Sequence, residues 1–299
     1  MAEEPSVTIR TDWVQGGAIR FEVHACGDRD ARKLALCLHG FPESAHSWRH
    51  QLPLLARLGY KAWAPNQRGY GRTTRPDGRA SYRMECLLED VAHLIDASGC
   101  RDVTLVGHDW GGFVAWFAAL RGIHPVERLV VMNIPHPRRM KQVLAHSWAQ
   151  RRRSLYALFF QLPWLPEWLL TRKGGRLVGE AFRGMAVDES RFPEAELEVY
   201  RRQACEPGAM TAMLNWYRAN RSLFADAEEL PYLEVPTLMI WGEEDRALGL
   251  ELTEGTEGLV RDFTLRRLPG VSHWVQQEAP ERVNAILEAW LCGREVPRG

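Results

Sequence analysis

Short apolar runs alternate with helical patterns along the first 135 residues of the chain. The runs predict strands at 18–26, 33–40, 60–66, 102–108 and 127–134, because strands that are buried on both faces read as almost continuously apolar. A helix is predicted to begin near Ser44, and another covers the sequence FVAWFAAL at 113–120. This alternation predicts an α/β fold with a mostly parallel central sheet and helices on both faces.

The pattern changes between residues 136 and 230, where helix formers dominate and strand signals are few. Strand patterns return at 237–242 and 263–270, and a last helix follows with the sequence PERVNAILEAWL. We therefore predict a core formed by residues 1–135 and 231–299 and interrupted by a helical cap, or lid, at 136–230.

Composition narrows the class of protein. The 299 residues include 38 basic and 38 acidic side chains, and this formal neutrality argues against nucleic acid or an anionic membrane as the main partner. No apolar run is long enough for a membrane span, and the opening sequence MAEEPSVTIR lacks the apolar stretch of a secretory signal. The six cysteines are scattered without a C-x-x-C pair, which favours reduced thiols in a cytoplasmic protein.

The sequence VGHDWGG at 106–112 has the pattern of a nucleophile elbow, a tight turn between a buried strand and a helix. Asp109 stands at the reactive position, between Gly107 and Gly111. The helix after Asp109 would direct its free N–H groups toward this side chain and favour a carboxylate, which is a nucleophile that needs no base. A simple helix cap would not require small residues on both sides, so Asp109 is the candidate nucleophile.

Two further candidates follow later in the chain, at the ends of predicted strands. His273, between the last strand and the last helix, is the candidate general base, and Asp245 is the carboxylate expected to fix its tautomer. Glu243 and Glu244 are close alternatives to Asp245. Loops at the carboxyl ends of parallel strands lie on one edge of the sheet, so we expect these residues to meet Asp109 there.

The sequence HGFP at 39–42 predicts a tight turn after a strand. The N–H groups of Phe41 and Trp110 are the predicted oxyanion hole. A carboxylate that attacks an sp³ carbon forms an ester, and water can then hydrolyse that ester at its carbonyl carbon. A hydroxyl nucleophile would instead form an ether, which the same site could not hydrolyse. The Asp nucleophile therefore predicts an epoxide or an alkyl halide as substrate.

The stretches HGFPESAHSWRHQLPLL, RGYGRTTRP, VGHDWGG, WGEED and PGVSHWVQQEAP together resemble the epoxide hydrolases of the α/β-hydrolase fold, over about residues 20–292. The resemblance implies hydrolysis of a small apolar epoxide by water to a vicinal diol, with no cofactor and no metal. It also implies two cap tyrosines that hold and protonate the epoxide oxygen, namely Tyr156 in YALFFQ and Tyr217 in NWYR. With Phe41 and Trp110, these tyrosines are the predicted substrate-binding residues.

Three alternatives remain open from the sequence. Haloalkane dehalogenases resemble this chain but carry Asn at the position of Phe41, and fluoroacetate dehalogenases carry Arg at the position of Trp110. A ligand-binding protein on the same fold, with little turnover, is a second alternative. An esterase is the least favoured, because attack of Asp109 on an ester would give an anhydride.

Other patterns receive a structural interpretation. His46 and His50 have a spacing that can bind metal, but no third ligand is evident, so they are interpreted as surface residues. The basic residues between 138 and 153 are interpreted as one face of a solvated helix, and an oligomer is compatible with the sequence. Aromatic residues of the cap are expected to form mainly its core, with some lining an apolar pocket: Trp148, Phe159, Phe160, Trp164, Trp168, Trp216 and Phe224.

Overall fold

The computed structural model describes residues 7–298, and within them eight strands form one sheet. Residues 1–6, which include most of the opening segment discussed above, and Gly299 lie outside the described residues. The strands are β1 (Arg10–Gly16), β2 (Ile19–Cys26), β3 (Lys33–Leu38), β4 (Tyr60–Pro65), β5 (Asp102–His108), β6 (Arg128–Met132), β7 (Thr237–Gly242) and β8 (Phe263–Leu268).

The strand order across the sheet is β1-β2-β4-β3-β5-β6-β7-β8. Strand β2 pairs antiparallel with β1 and β4, and all the other neighbours are parallel. The predicted mostly parallel sheet is therefore confirmed. Strand β1 was not predicted, because it lies at the sheet edge and its burial alternates between exposed and buried positions, which gives a weaker apolar signal.

The helices are α1 (Leu52–Arg57), α2 (Met84–Ser98), α3 (Asp109–Leu120), α4 (Pro137–His146), α5 (Trp148–Arg153), α6 (Leu155–Phe159), α7 (Leu165–Met185), α8 (Glu194–Ala204), α9 (Ala209–Ala219), α10 (Val275–Glu278) and α11 (Pro280–Leu291). Short 3-10 turns cover Ala45–Trp48, Arg79–Tyr82, Glu189–Arg191, Ala227–Glu229, Leu250–Leu252 and Thr256–Gly258. The helix predicted near Ser44 is thus a 3-10 turn followed by α1. Helices α4 to α9 lie between β6 and β7, where helical character was predicted, and we call this segment the helical insertion.

Strand β5 lies in the middle of the sheet and is buried on both faces. Val103 and Leu105 belong to the hydrophobic core on one side, whereas Val106 belongs to a separate core on the other side. This two-sided burial explains why the strand is almost continuously apolar and why its carboxyl end can present a reactive side chain from a rigid base. The second core also contains Ile286 and Leu287 of α11. Helix α11 therefore packs on the face of the sheet opposite the first core, to which residues of the helical insertion belong.

The described residues bear on the predictions about membrane spans, metal ions and the basic segment 138–153. In the range 7–298, no helix is long and apolar enough to cross a membrane. Over the same range, no group of three or more His, Cys, Asp or Glu side chains is arranged to hold a metal ion. His46 instead lies 2.6 Å from the Glu196 carboxylate. Several basic side chains of 138–153 donate to backbone carbonyls, as Arg138 does to Leu230 O at 2.6 Å and Arg151 to Leu144 O at 2.6 Å.

Candidate active site

Four loops that follow β3, β5, β7 and β8 meet at the carboxyl edge of the sheet, as expected for parallel strands. His273 Nδ1 lies 2.6 Å from Asp245 Oδ2, and His273 Nε2 lies 3.7 Å from Asp109 Oδ2. All three side chains are buried. The structure therefore brings Asp109 together with Asp245 and His273, which lie 136 and 164 positions later in the sequence. Asp245, rather than Glu243 or Glu244, is the acidic residue that contacts the imidazole.

The turn between β5 and α3 places Asp109 in a strained backbone conformation. Its φ is +49°, in the left-handed region that residues with a side chain rarely adopt. The chain also passes so close to β3 that a Cβ atom on Gly111 would lie 2.2 Å from the Leu38 carbonyl oxygen. A Cβ on Gly107 would lie 2.6 Å from Gly111 O. The two glycines are therefore required for the elbow to form, as the sequence pattern indicated.

The Asp109 carboxylate is held through one of its oxygens. The Phe41 N–H donates to Oδ1 at 2.8 Å, and the Trp110 N–H also hydrogen-bonds the carboxylate. Burial raises the pKa of Asp109, although the charges of His273 and His108 and these two N–H groups act in the opposite direction. The stabilisation expected from the helix N-terminus is thus outweighed by desolvation. The Oδ2 atom is the oxygen nearest His273 Nε2.

A network of hydrogen bonds fixes Asp245 beneath the imidazole. Its Oδ1 accepts from the N–H groups of Ala247 and Leu248 at 2.7 and 2.9 Å, and its Oδ2 accepts from Asn133 Nδ2 at 2.8 Å. Burial raises the pKa of Asp245, but the His273 charge and these bonds outweigh it and leave that pKa below its usual value. Burial lowers the pKa of His273, and the charge and hydrogen bond of Asp245, with the charge of Asp109, outweigh it and raise that pKa to about 9. The imidazole is therefore protonated at neutral pH and forms an ion pair with the ionised Asp245.

Sequence reasoning missed a third buried carboxylate near the site, Glu43, which is fully buried. Its oxygens lie within 2.6 to 2.8 Å of His108 Nδ1, the Gly40 N–H and the side-chain amides of Gln276 and Gln277. His108 Nε2 in turn lies 2.8 Å from the backbone carbonyl of His273. Burial acts to raise the pKa of Glu43, but His108 outweighs it, and the carboxylate is held below its usual pKa. Glu43 and His108 therefore fix the loop that carries His273.

The two predicted tyrosines lie across the cavity from Asp109. The Tyr217 ring makes edge contacts with Trp110 at 5.0 Å, Phe41 at 5.3 Å and Tyr156 at 6.1 Å between ring centroids. Burial raises the pKa of both tyrosines, and the charge of Asp109 adds to the increase. Side-chain hydrogen bonds join Tyr156 to Tyr217 and Tyr217 to Trp110. Both phenols are therefore protonated at neutral pH and can donate a hydrogen bond.

Two adjoining cavities, with volumes of about 300 and about 320 Å³, share Asp109, Tyr156 and Tyr217. The first is lined mainly by apolar side chains, including Phe113, Ile134, Met140, Leu144, Leu223, Phe224 and Leu248. The second includes Phe41, Phe160, Trp274, Arg153 and Arg246. Asp109 thus lies at the junction of two mostly apolar cavities.

The seven aromatic residues assigned to the helical insertion divide into four groups. Phe160 and Phe224 line the cavities, Trp216 is fully buried, as expected, and Phe159 is half-buried against the core. The interpretation as core was wrong for Trp148, Trp164 and Trp168, which are exposed. Trp148 lies in α5, Trp168 in the first turn of α7 and Trp164 just before it, on faces that no other part of the described chain covers. An apolar side chain does not reveal in the sequence which face is covered.

Comparison with known proteins agrees with this arrangement. The family described as the alpha/beta hydrolase fold matches residues 35–280, and the chain belongs to that family. Within it, the relatives are epoxide hydrolases and proteins named only for the fold. Epoxide hydrolase 4 of Homo sapiens is 34% identical over 93% of this chain and 77% of its own length, and the AB hydrolase superfamily protein YfhM of Bacillus subtilis is 37% identical over 95% and 98%. The crystal structure of the Bacillus megaterium epoxide hydrolase with an inhibitor superposes with a TM-score of 0.84, at 27% identity, over 94% of this chain and 100% of that one.

Proposed function

We propose that this protein is an epoxide hydrolase that converts a small apolar epoxide and water into a vicinal diol through an ester on Asp109. The observation that carries the proposal is the asymmetric environment of the Asp109 carboxylate. Oδ1 is held by the Phe41 N–H, whereas Oδ2 faces His273 and the cavity shared with the two tyrosines. The names of the relatives support the same reaction.

In the first step, Asp109 Oδ2 attacks one carbon of the epoxide ring. The C–O bond on that carbon breaks, and its electron pair stays on the ring oxygen. The developing alkoxide is strongly basic, so it takes a proton from Tyr156 or Tyr217, whose raised pKa values keep them protonated beforehand. The product of this step is an alkyl ester of Asp109, with Oδ1 as its carbonyl oxygen.

In the second step, water attacks the carbonyl carbon of that ester. Alkylation removes the charge of Asp109, which is one cause of the raised His273 pKa, so the imidazolium can release its proton to solvent and act as a base. The oxyanion forms on Oδ1, to which the Phe41 N–H already donates, and the Trp110 N–H, which hydrogen-bonds the same carboxylate, is the second expected donor. His273 returns the proton of the water to the departing diol oxygen, and the proton of the new carboxyl group restores the phenol. The imidazole then regains its own proton from solvent, because Asp109 is ionised again.

The helical insertion contributes to this site as a cap. Residues 136–230 form the cap, and residues 1–135 and 231–299 form the hydrolase core. Tyr156 and Tyr217 belong to the cap, whereas Asp109, Asp245 and His273 belong to the core. A substrate bound between the two parts is surrounded mainly by apolar side chains, which favours an epoxide with hydrophobic substituents.

Dehalogenation is less well supported by the same geometry. A departing halide needs N–H donors in the cavity, and position 41 offers the ring of Phe41 instead of a side-chain amide. The side chain of Trp110 already hydrogen-bonds Tyr217. The phenols of Tyr156 and Tyr217 provide protons, which an alkoxide requires and a halide does not.

The test is diol formation from a panel of epoxides that includes styrene oxide. The parent and an Asp30→Ala control, which changes an exposed carboxylate, should form diol, and Asp109→Ala should form none. Halide release from haloalkanes without diol formation would assign a dehalogenase. Saturable binding of epoxides by a folded parent that forms no product would assign a ligand-binding protein.

A further inference from the structure

A concentration of exposed apolar side chains distinguishes one surface of the helical insertion. Eleven large hydrophobic residues are exposed in the described part of the chain, and seven of them lie between residues 148 and 168. Trp148 and Trp164 are 71% and 70% exposed. We call this the aromatic surface, and its members are Trp148, Leu155, Leu158, Leu162, Trp164 and Trp168; Tyr156, the seventh, lines the cavities and is not counted among them. Single exposed hydrophobic residues need no explanation, but a concentrated group of them marks an interaction site.

The local structure holds these side chains outward. Helix α6 (Leu155–Phe159) contains no buried residue, which is unusual for a segment of mostly apolar sequence. Trp164 adopts a φ of +51°, in the left-handed region, although it is not a glycine. Such a conformation costs about 1 to 2 kcal/mol per residue, and it is found mainly where a function requires it. The exposed side chains therefore belong to helices and a turn in the interior of the sequence and not to a chain terminus.

The segment that carries the aromatic surface is rich in basic residues. Residues 137–173 hold eight of the 38 basic residues of the chain but one of its 38 acidic residues, so this segment carries +7 and the rest of the chain carries −7. Two of the eight pair with acids outside the segment, Arg138 with Glu228 at 3.5 Å and Arg153 with Glu251 at 3.8 Å, and the other six form no ion pair among the described residues. The single acidic residue, Glu167, is neutralised by Arg218, whose guanidinium donates to both of its oxygens. The Arg172 guanidinium lies 4.6 Å over the Trp168 ring, so positive charge and aromatic side chains are in contact. The zero net charge of the whole chain does not reveal this separation of basic from acidic residues.

We propose that the aromatic surface docks on an anionic lipid bilayer. Tryptophan side chains are favoured at the level of the lipid headgroups, and basic residues near them are attracted by the negative surface potential. A second copy of the chain would bring the same positive charge against itself, so charge complementarity favours the bilayer over a homodimer. Under this proposal, the formal neutrality of the whole chain does not exclude an anionic membrane, because the basic residues are concentrated near this surface.

The cavity of about 300 Å³ opens within the same surface. Tyr156, Ala157 and Leu158 of α6 line this cavity, and Leu158 is also 64% exposed. An apolar epoxide concentrates in a bilayer, so docking would place the cavity mouth at the source of the substrate. This delivery of substrate rests on the proposed function, whereas the docking itself does not.

The experiment is sedimentation of the full chain with vesicles of phosphatidylcholine alone and of phosphatidylcholine mixed with phosphatidylglycerol. The protein should sediment with the mixed vesicles, and raising the salt from about 0.1 M to about 1 M should release it, because the Debye length falls from about 10 to about 3 Å. Arg152, for which the structure shows no partner among the described residues, can be replaced without loss of a contact. Arg152→Gln should weaken binding about fivefold, which corresponds to about 1 kcal/mol per basic residue near an anionic surface.

The double variant Trp148→Ser, Trp164→Ser should weaken binding to the vesicles by at least about tenfold, because it removes two aromatic side chains from the contact with the bilayer. The matched controls are Tyr232→Ser and Arg202→Gln, an exposed aromatic and an exposed arginine outside the aromatic surface, and both should bind as the parent does. Lack of binding to either type of vesicle would overturn the proposal. A dimer in light scattering that the double tryptophan variant dissociates, without vesicle binding, would assign the surface to a second copy instead. Diol formation from a water-soluble epoxide, measured in parallel, tests the proposed function separately.

Discussion

Replacement of Asp245 by Asn removes the charge that supports the His273 imidazolium while it keeps the size of the side chain. The Nδ1 atom of His273 lies 2.6 Å from Asp245 Oδ2, and the charge of Asp245 is the first of the favourable causes that raise the His273 pKa to about 9. The Asn133 amide already donates to the same oxygen. An Asn at 245 that donates to Nδ1 would leave the imidazole in the wrong tautomer, with Nε2 protonated, so that it cannot accept a proton from water.

The magnitude follows from the pKa of His273. Its net increase from 6.5 to about 9 corresponds to about 3 kcal/mol at 1.36 kcal/mol per pH unit, and this value remains after burial has opposed the charges of Asp245 and Asp109. The folded-state pKa is raised, so this stabilisation is fully present below pH 6.5 and is lost as the pH rises through about 9. In Asp245→Asn, the free energy of unfolding should lose most of its dependence on pH in that window.

Two assays measure the effects of this variant. Urea unfolding at pH 6.5 and pH 9.5 should show the parent losing up to about 3 kcal/mol and the variant losing much less. Turnover should fall by about 10³ to 10⁴-fold, with the ester on Asp109 accumulating, because the second step needs the correctly oriented base. A variant that unfolds with the same pH dependence as the parent and hydrolyses epoxide at the parental rate would refute the assignment of Asp245.

The remaining predictions concern other parts of the site. His273→Gln should stop the second step and leave a mass increase equal to that of the epoxide on the protein; a folded variant that keeps multiple turnover would contradict its role as base. Tyr156→Phe combined with Tyr217→Phe should lower kcat/KM for epoxides by at least about 10²-fold, the usual contribution of a general acid, and an unchanged value would exclude the phenols. Glu43→Gln should lower kcat with little change in KM, because His108 would hold the His273 loop less firmly, and it should lower the free energy of unfolding in urea by about 1 to 3 kcal/mol. The same loss of stability without a change in kcat would limit Glu43 to a role in folding.

The sequence allowed the reactive groups to be predicted because each of them belongs to a local pattern. Asp109 lies between glycines that the close approach to β3 requires, and this requirement is visible within seven residues of sequence. Asp245 and His273 follow the ends of predicted strands, and parallel strands bring their carboxyl ends together. The α/β class follows from the same apolar runs, since six of the eight strands, β2 to β7, are almost entirely buried.

The supporting residues could not be predicted from the sequence in the same way. Glu43 is important because it meets His108, 65 positions later, and amides near position 276, and no local pattern indicates these contacts. Asn133 is a similar case, since it holds Asp245 from a distance of 112 positions. The prediction that Trp148, Trp164 and Trp168 are buried was wrong for a different reason. An amphipathic pattern shows which side chains are apolar and does not show whether another surface covers them.

The origin of the diol oxygen in a single turnover tests the ester mechanism most directly. Excess protein is mixed with an epoxide in water enriched in oxygen-18, and both the diol and the peptide that contains Asp109 are analysed by mass spectrometry. The account predicts that the first diol is unlabelled, because its new oxygen comes from Asp109, and that this peptide gains oxygen-18. Labelled diol in the first turnover, with an unlabelled peptide, would mean that water attacks the epoxide directly and would contradict the role of Asp109 as nucleophile.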